Sequence, residues 1–221
     1  MPLQLLLLWL NTRQRAASRL RQILGTWWAR LLNVISGLLS AGAAPAAATS
    51  YESIATVTVG AGGSSTITFS SIPSTYKHLQ IRGIGKTTRT GGPYYNDLYA
   101  RFNGDTASNY AWHLLQGNGT AASAQGAASA TYAMITPNGV PSASRSGWGA
   151  YVIDILDYTN TSKYKTVRTL GGDDDNGSGY INLTSGLWQS TSAISSIVFY
   201  PEVGFGDFAQ YSSFALYGIK G

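Results

Sequence analysis

The sequence predicts an all-β fold, a jelly-roll-like antiparallel β-sandwich, preceded by an N-terminal hydrophobic α-helical arm. Three observations carry that prediction. From Tyr51 onward apolar residues alternate with a period of two, whereas before it they recur every three or four. Turn-forming residues are dense: the 221 residues include 26 glycines, and Asn-Gly pairs stand at 103–104, 118–119, 138–139 and 176–177. No stretch beyond residue 50 sustains a helical period, which removes parallel βαβ units. An up-and-down barrel is the alternative arrangement of the same strands.

Taken in chain order, residues 1–40 read as an amphipathic arm. Leu3, Leu6, Leu10, Arg13, Ala17, Leu20, Leu24, Trp27, Leu31, Val34 and Leu38 alternate spacings of three and four, the seam pattern of a coiled coil. Leu5, Leu7, Leu8, Trp9, Trp28 and Leu32 widen the stripe beyond a strict seam. A helix this apolar needs cover in water, so Leu20, Leu24, Trp27, Leu31 and Leu38 are the candidate assembly contacts. Three roles compete. A secretory signal would use "LNVISGLLSAGAAPAAA" after Arg30, and a membrane-surface helix would set arginine on one face against tryptophan on the other. The reading adopted is a helix that packs with copies of itself, a trimer being favoured, or docks into a larger assembly. "LQLLLLWL" is too short for a membrane span, and arginines interrupt any longer apolar run. Residues 41–50, with Pro45 among alanines, form a linker.

Residues 51–221 then divide into eleven short strands. The first two, "ATVTVG" (55–60) and "STITFSSI" (65–72), flank a "GAGGS" connection. Further runs fall at 77–84, 97–102, 110–115, 131–136, 150–156, 164–170, 179–184, 194–200 and 212–219. Within "DLYARF", Leu98, Ala100 and Phe102 share one face and Asp97, Tyr99 and Arg101 the other. After the turn, Tyr110, Trp112 and Leu114 oppose Ala111, His113 and Leu115.

Charge and composition narrow the function. Residues 1–49 hold five arginines and no acidic residue, while residues 50–221 hold ten basic and ten acidic residues. A formally neutral body lacks the basic footprint of a nucleic-acid binder. The absence of cysteine removes disulfide frameworks, thiolate metal sites and thiol nucleophiles together. The two histidines, His78 and His113, sit inside predicted strands without convergent ligands, and no GxSxG elbow is present, so a non-enzymatic protein without a resident cofactor is expected. The acidic run "LGGDDDNGSG" (170–179) reads as a solvated loop, with Asp173 and Asp175 the candidate Ca²⁺ ligands. Asp154 and Asp157, three apart, fall on opposite faces of a strand and do not flank one glycosidic bond. Tyr95 in "GGPYYND" and Trp148 in "SGWGAY" are the candidate carbohydrate-binding aromatics.

The blocks "YESIATVTVGAGGSSTITFSSIPSTYKHLQIRGIGKTTR", "DLYARFNGDTASNYAWHLLQGNG", "VIDILDYTNTSKYKTVRTLGG" and "FAQYSSFALYGIKG" together resemble a group of tailed-bacteriophage virion proteins, the tail-fibre and minor structural proteins. The resemblance covers nearly all of residues 50–221 and leaves out the arm up to Gly37. It implies a structural role in a virion, with other virion proteins and possible host glycans as partners, in the tail or as a capsid decoration or head fibre. It brings no functional residues with it. A carbohydrate-binding module that recognises the host surface is the principal rival expectation, and a secreted or membrane-associated bacterial β-sandwich with an N-terminal signal is the second.

Overall fold

A computed structural model describes residues 12–15, 17–28, 30, 50–92 and 94–221. The chain divides into two compact units, residues 1–49 and 50–221.

The first unit contributes one helix, α1, helical at residues 12–15, 17–28 and 30. Its apolar side chains Leu20, Ile23, Leu24, Trp27 and Trp28 are all exposed. Leu31 and Leu38 lie outside the described residues. Among the described residues no helix is long and apolar enough to cross a membrane.

The second unit is a sandwich of twelve antiparallel strands: β1 (Tyr51–Thr58), β2 (Ile67–Phe69), β3 (His78–Gly85), β4 (Tyr95–Phe102), β5 (Tyr110–Gly117), β6 (Ala122–Ala130), β7 (Ala133–Pro141), β8 (Gly149–Leu156), β9 (Lys165–Asp174), β10 (Gly179–Trp188), β11 (Ile197–Pro201) and β12 (Ser213–Ile219). Eight form one sheet in the order β1-β12-β3-β8-β9-β10-β5-β6, and four form the other in the order β2-β11-β4-β7. The expected antiparallel two-layer architecture is observed, with layers of unequal size; this pairing order does not by itself establish jelly-roll winding.

Alternation decides which side chains meet between the sheets. Leu79 and Ile81 of β3, Ile153 and Ile155 of β8, Phe214 and Leu216 of β12, Leu98 and Phe102 of β4 and Phe199 of β11 join one fully buried cluster. The whole cluster and the residues packed on it lie between Ile54 and Leu216. A smaller cluster joins Trp112 and Leu114 of β5 to Tyr99, Met134 and Tyr200, so both faces of β4 are covered. Burying a dozen such side chains contributes about 1.5–3 kcal/mol each before the chain entropy is subtracted.

Two local expectations are corrected. Strand β6 was absent from the sequence pattern because "ASAQGAASA" has no large apolar residue. It is a mostly exposed edge strand whose only strand neighbour among the described residues is β5, with Ala127 and Ala130 alone packed against the core clusters. The Asn-Gly pair at 138–139 is not a turn but lies inside β7. There the register jumps from Asn96 opposite Val140 to Leu98 opposite Thr136, leaving Asp97 facing a bulge. The Asp97 carboxylate pins it by accepting the Asn138 N–H at 2.8 Å, with Asn138 at φ 48°. At 176–177 both residues take positive φ, 58° and 84°, and close the β9–β10 hairpin as expected of Asn-Gly.

Candidate functional site

The polar residues singled out from sequence are mostly committed to structure. In the 97–119 stretch, Asn103 receives the backbone N–H groups of Ser195 and Ser196 at 2.8 and 3.1 Å and donates to the Ala193 carbonyl at 2.8 Å. Asp105 accepts from the Trp188 indole at 2.7 Å, from Asn109 at 3.0 Å and from the Ala107 N–H at 2.9 Å. Arg101 donates to the Thr131 carbonyl and lies 4.9 Å from the Tyr200 ring. These groups are saturated scaffold ties. His78 accepts the Asp157 N–H through Nδ1 at 2.9 Å, and His113 points outward from β5.

Asp154 and Asp157 are separated as expected. Asp154 accepts from Gln80 at 2.8 Å on the outer face of β8. Asp157 lies past the strand end at φ 49°, where Lys163 and Lys77 pair with it and hold its carboxyl below the usual range.

The acidic run is not a loop throughout, since Asp173 and Asp174 belong to β9. Alternation turns Asp173 inward beside Tyr151, because its neighbours Thr169 and Gly171 face the core. Asp175 is taken by Arg145, whose Nε lies 3.0 Å from Oδ2. The carboxylate oxygens of Asp173 are both buried, and burial raises its pKa to about 6 against the pull of Arg145 and of the Tyr180 backbone N–H. The two candidate Ca²⁺ ligands therefore sit in different surroundings. Among the described residues no group of three or more His, Cys, Asp or Glu converges as a metal site.

A raised carboxyl pKa means that the folded chain holds the proton more tightly than the unfolded chain, so stability falls as pH rises from the ordinary carboxylate range to about 6. Acidification from about pH 7.5 to about 5 should raise the melting temperature by a few degrees. Asp173→Asn should melt higher than wild type at the upper pH and respond less to acid. Glu202, also raised by burial, supplies the remaining response, while carboxylates with lowered pKa act below this window. Melting curves that rise equally in both proteins would contradict the assignment to Asp173.

The two candidate aromatics part company. Tyr95 packs edge-on to Tyr180 at 4.9 Å, with the Arg145 guanidinium 4.7 Å from its ring. Trp148, half-buried with the Lys86 ammonium 5.3 Å from its ring, lines a cavity of about 760 Å³ on the outer face of the large sheet.

That cavity has a simple origin. Cross-strand register aligns Ile84, Ala150, Gly172, Ile181 and Gly117 in one row across β3, β8, β9, β10 and β5. Two residues along the strands, Arg82, Val152, Leu170, Leu183 and Leu115 form the next row. The first row is small at Ala150 and Gly172, between Ile84 and Ile181, and again at Gly117, and makes a trough there; the second is large and makes a ridge. Val152, Leu170, Leu183 and Leu115 are 38%, 54%, 54% and 55% exposed, and Ile181 is 64% exposed, so the middle of this outer face carries an exposed apolar patch. Sequence reasoning missed it because each strand was assigned one apolar face. The signal was present in "AYVIDIL", which carries aliphatic residues on both faces, and in "GYINLT", whose Ile181 and Leu183 share the face opposite Asn182 and Thr184.

No family model matches the chain, and no curated protein does.

Proposed function

We propose that this chain is a non-enzymatic structural component of a bacteriophage virion, a tail-fibre or tail-associated protein, in which α1 anchors or self-associates and the β-sandwich is the rigid projecting module. The observation that carries the reading is the apolar stripe of α1: Leu20, Ile23, Leu24, Trp27 and Trp28 are 52–66% exposed at spacings of three and four. A helix with that stripe gains stability when a neighbour covers it. The β-sandwich supports the same reading, because its core draws on its own residues and its polar side chains at 97–119 serve as ties. The resemblance of residues 50–221 to phage particle proteins supplies the setting.

The test is to follow the chain into purified particles. Wild-type chain should co-purify with virions and sediment as an oligomer when isolated, and Leu24→Glu with Trp27→Glu should abolish co-purification and reduce the oligomer to whatever species residues 50–221 form alone, while leaving the cooperative melt of the sandwich unchanged. A monomeric wild-type chain that is absent from particles would overturn the proposal.

A further inference from the structure

The trough and ridge on the outer face lie side by side, about 7 Å apart for two residues of extended chain. A surface carrying both shapes at that spacing is complementary to itself under a two-fold rotation. We propose that the outer face of the eight-stranded sheet is an isologous interface that docks a second copy of this chain, the ridge of each copy seated in the trough of the other.

The geometry follows from the register. Place a two-fold axis in the contact plane, parallel to the rows and midway between ridge and trough. The rotation keeps each strand's position across the sheet and reverses its direction. Val152 then lies over Ala150 of the other copy and Leu170 over Gly172, large above small in both places. At the far end Ile181 leans across Gly117, where a Cβ would lie 3.3 Å from its Cγ2, and meets Leu183 and Leu115 of the other copy.

Charge follows the same rotation. Arg168 lies two residues beyond Leu170, and Asp174 two residues beyond Gly172, on the opposite side of the axis. Both are exposed, and neither forms an ion pair within 4 Å among the described residues, although Arg168 stands opposite Asp154 in the β8–β9 register. They are about 20 Å apart along one strand, too far to pair within a copy. Across the interface Arg168 of each copy lies above Asp174 of the other, twice by symmetry. Asp154 likewise falls beside Trp148 and Lys86 of the other copy. The six strands from β3 to β6, over the seven-residue span from Gln80 to Lys86, offer roughly 700 Å² per copy, close to the 800 Å² of a standard-size interface. The contact does not depend on α1.

Sedimentation of residues 50–221 alone, whose core is self-contained, separates this contact from any made by α1, and the full chain is run beside it. The wild-type fragment should dimerise at concentrations up to about 100 µM. Arg168→Asp and Asp174→Arg should each weaken the dimer by roughly tenfold or more, and the double variant carrying both should return near to wild type, because reversed charges pair again across the axis. Ala150→Trp, which fills the trough at an exposed position, should give a folded monomer. A wild-type fragment that stays monomeric would overturn the proposal, as would a dimer indifferent to Ala150→Trp or single variants whose losses simply add. A monomer that binds oligosaccharides and loses them in Trp148→Ala would assign the face to a glycan instead and would equally overturn it.

Discussion

Replacing Lys165 with methionine should lower the stability of the β-sandwich by about 3 kcal/mol, measured as a shift of the urea midpoint at unchanged slope. Lys165 opens β9, and its side chain is wholly buried. Among the described residues no carboxylate forms an ion pair with it. Instead its ammonium donates to the carbonyls of Asn160 at 2.6 Å, Lys163 at 3.0 Å and Thr191 at 3.1 Å. Three donors and three acceptors close the account, and they tie the β8–β9 loop to the β10–β11 loop. Burial draws the amine pKa down, which is the cost of holding a cation there, and hydrogen bonds to a charged donor, each worth about 1.5–3 kcal/mol, offset that cost. Methionine keeps the apolar stem and removes the donors, leaving three inward carbonyls unpaired. Arginine should rescue little, since a planar fork on a longer stem does not reproduce three converging bonds. A loss below about 1 kcal/mol for Lys165→Met would mean that water takes the place of the ammonium.

Eleven of the twelve strands were legible because a half-buried strand writes its burial into alternate residues. Leu98, Ala100 and Phe102 are fully buried as the alternation required. Where burial is not the cause of a strand, the pattern is silent: β6 exists through backbone pairing with β5, and no side-chain pattern marks it. Ends were legible where turn chemistry acts locally, as at Asn176-Gly177, and failed at Asn138-Gly139. There the same dipeptide serves a bulge selected by Asp97, 41 residues away in sequence.

The candidate sites divided along the same line. Trp148 was found because an aromatic among glycines is a local signal. The trough it borders was not, since Ala150, Gly172 and Gly117 become one surface only through the pairing of β8, β9, β10 and β5. The partners of Asp105 and Lys165 are likewise partly non-local. A buried lysine satisfied by carbonyls has no sequence signature, because its acceptors are backbone groups that every residue type provides.

Asp105 is expected to show the second large effect. Asp105→Ala should cost about 2–3 kcal/mol, since the indole of Trp188, the amide of Asn109 and the Ala107 N–H all lose their acceptor. Asp105→Asn should cost nearly as much, because an amide presents donors where three donors already converge. Burial pushes the Asp105 carboxyl up, yet the three hydrogen bonds outweigh it and hold the group below the usual carboxylate range. Its contribution is therefore complete above that range and is lost as pH falls through the lowered folded value, so the stability gap between wild type and Asp105→Asn should narrow in acid. The indole provides an internal control. Trp188→Phe keeps a ring against Phe102 and Tyr110 but deletes the donor. In that background Asp105→Ala should cost about 1 kcal/mol less than in wild type, a coupling read from tryptophan fluorescence and circular dichroism on urea titration. Strictly additive losses would show that Asp105 serves the turn after β4 alone. A measured coupling would show that it fastens the β4–β5 crossover to β10, joining the two sheets at the point where the chain passes from one to the other.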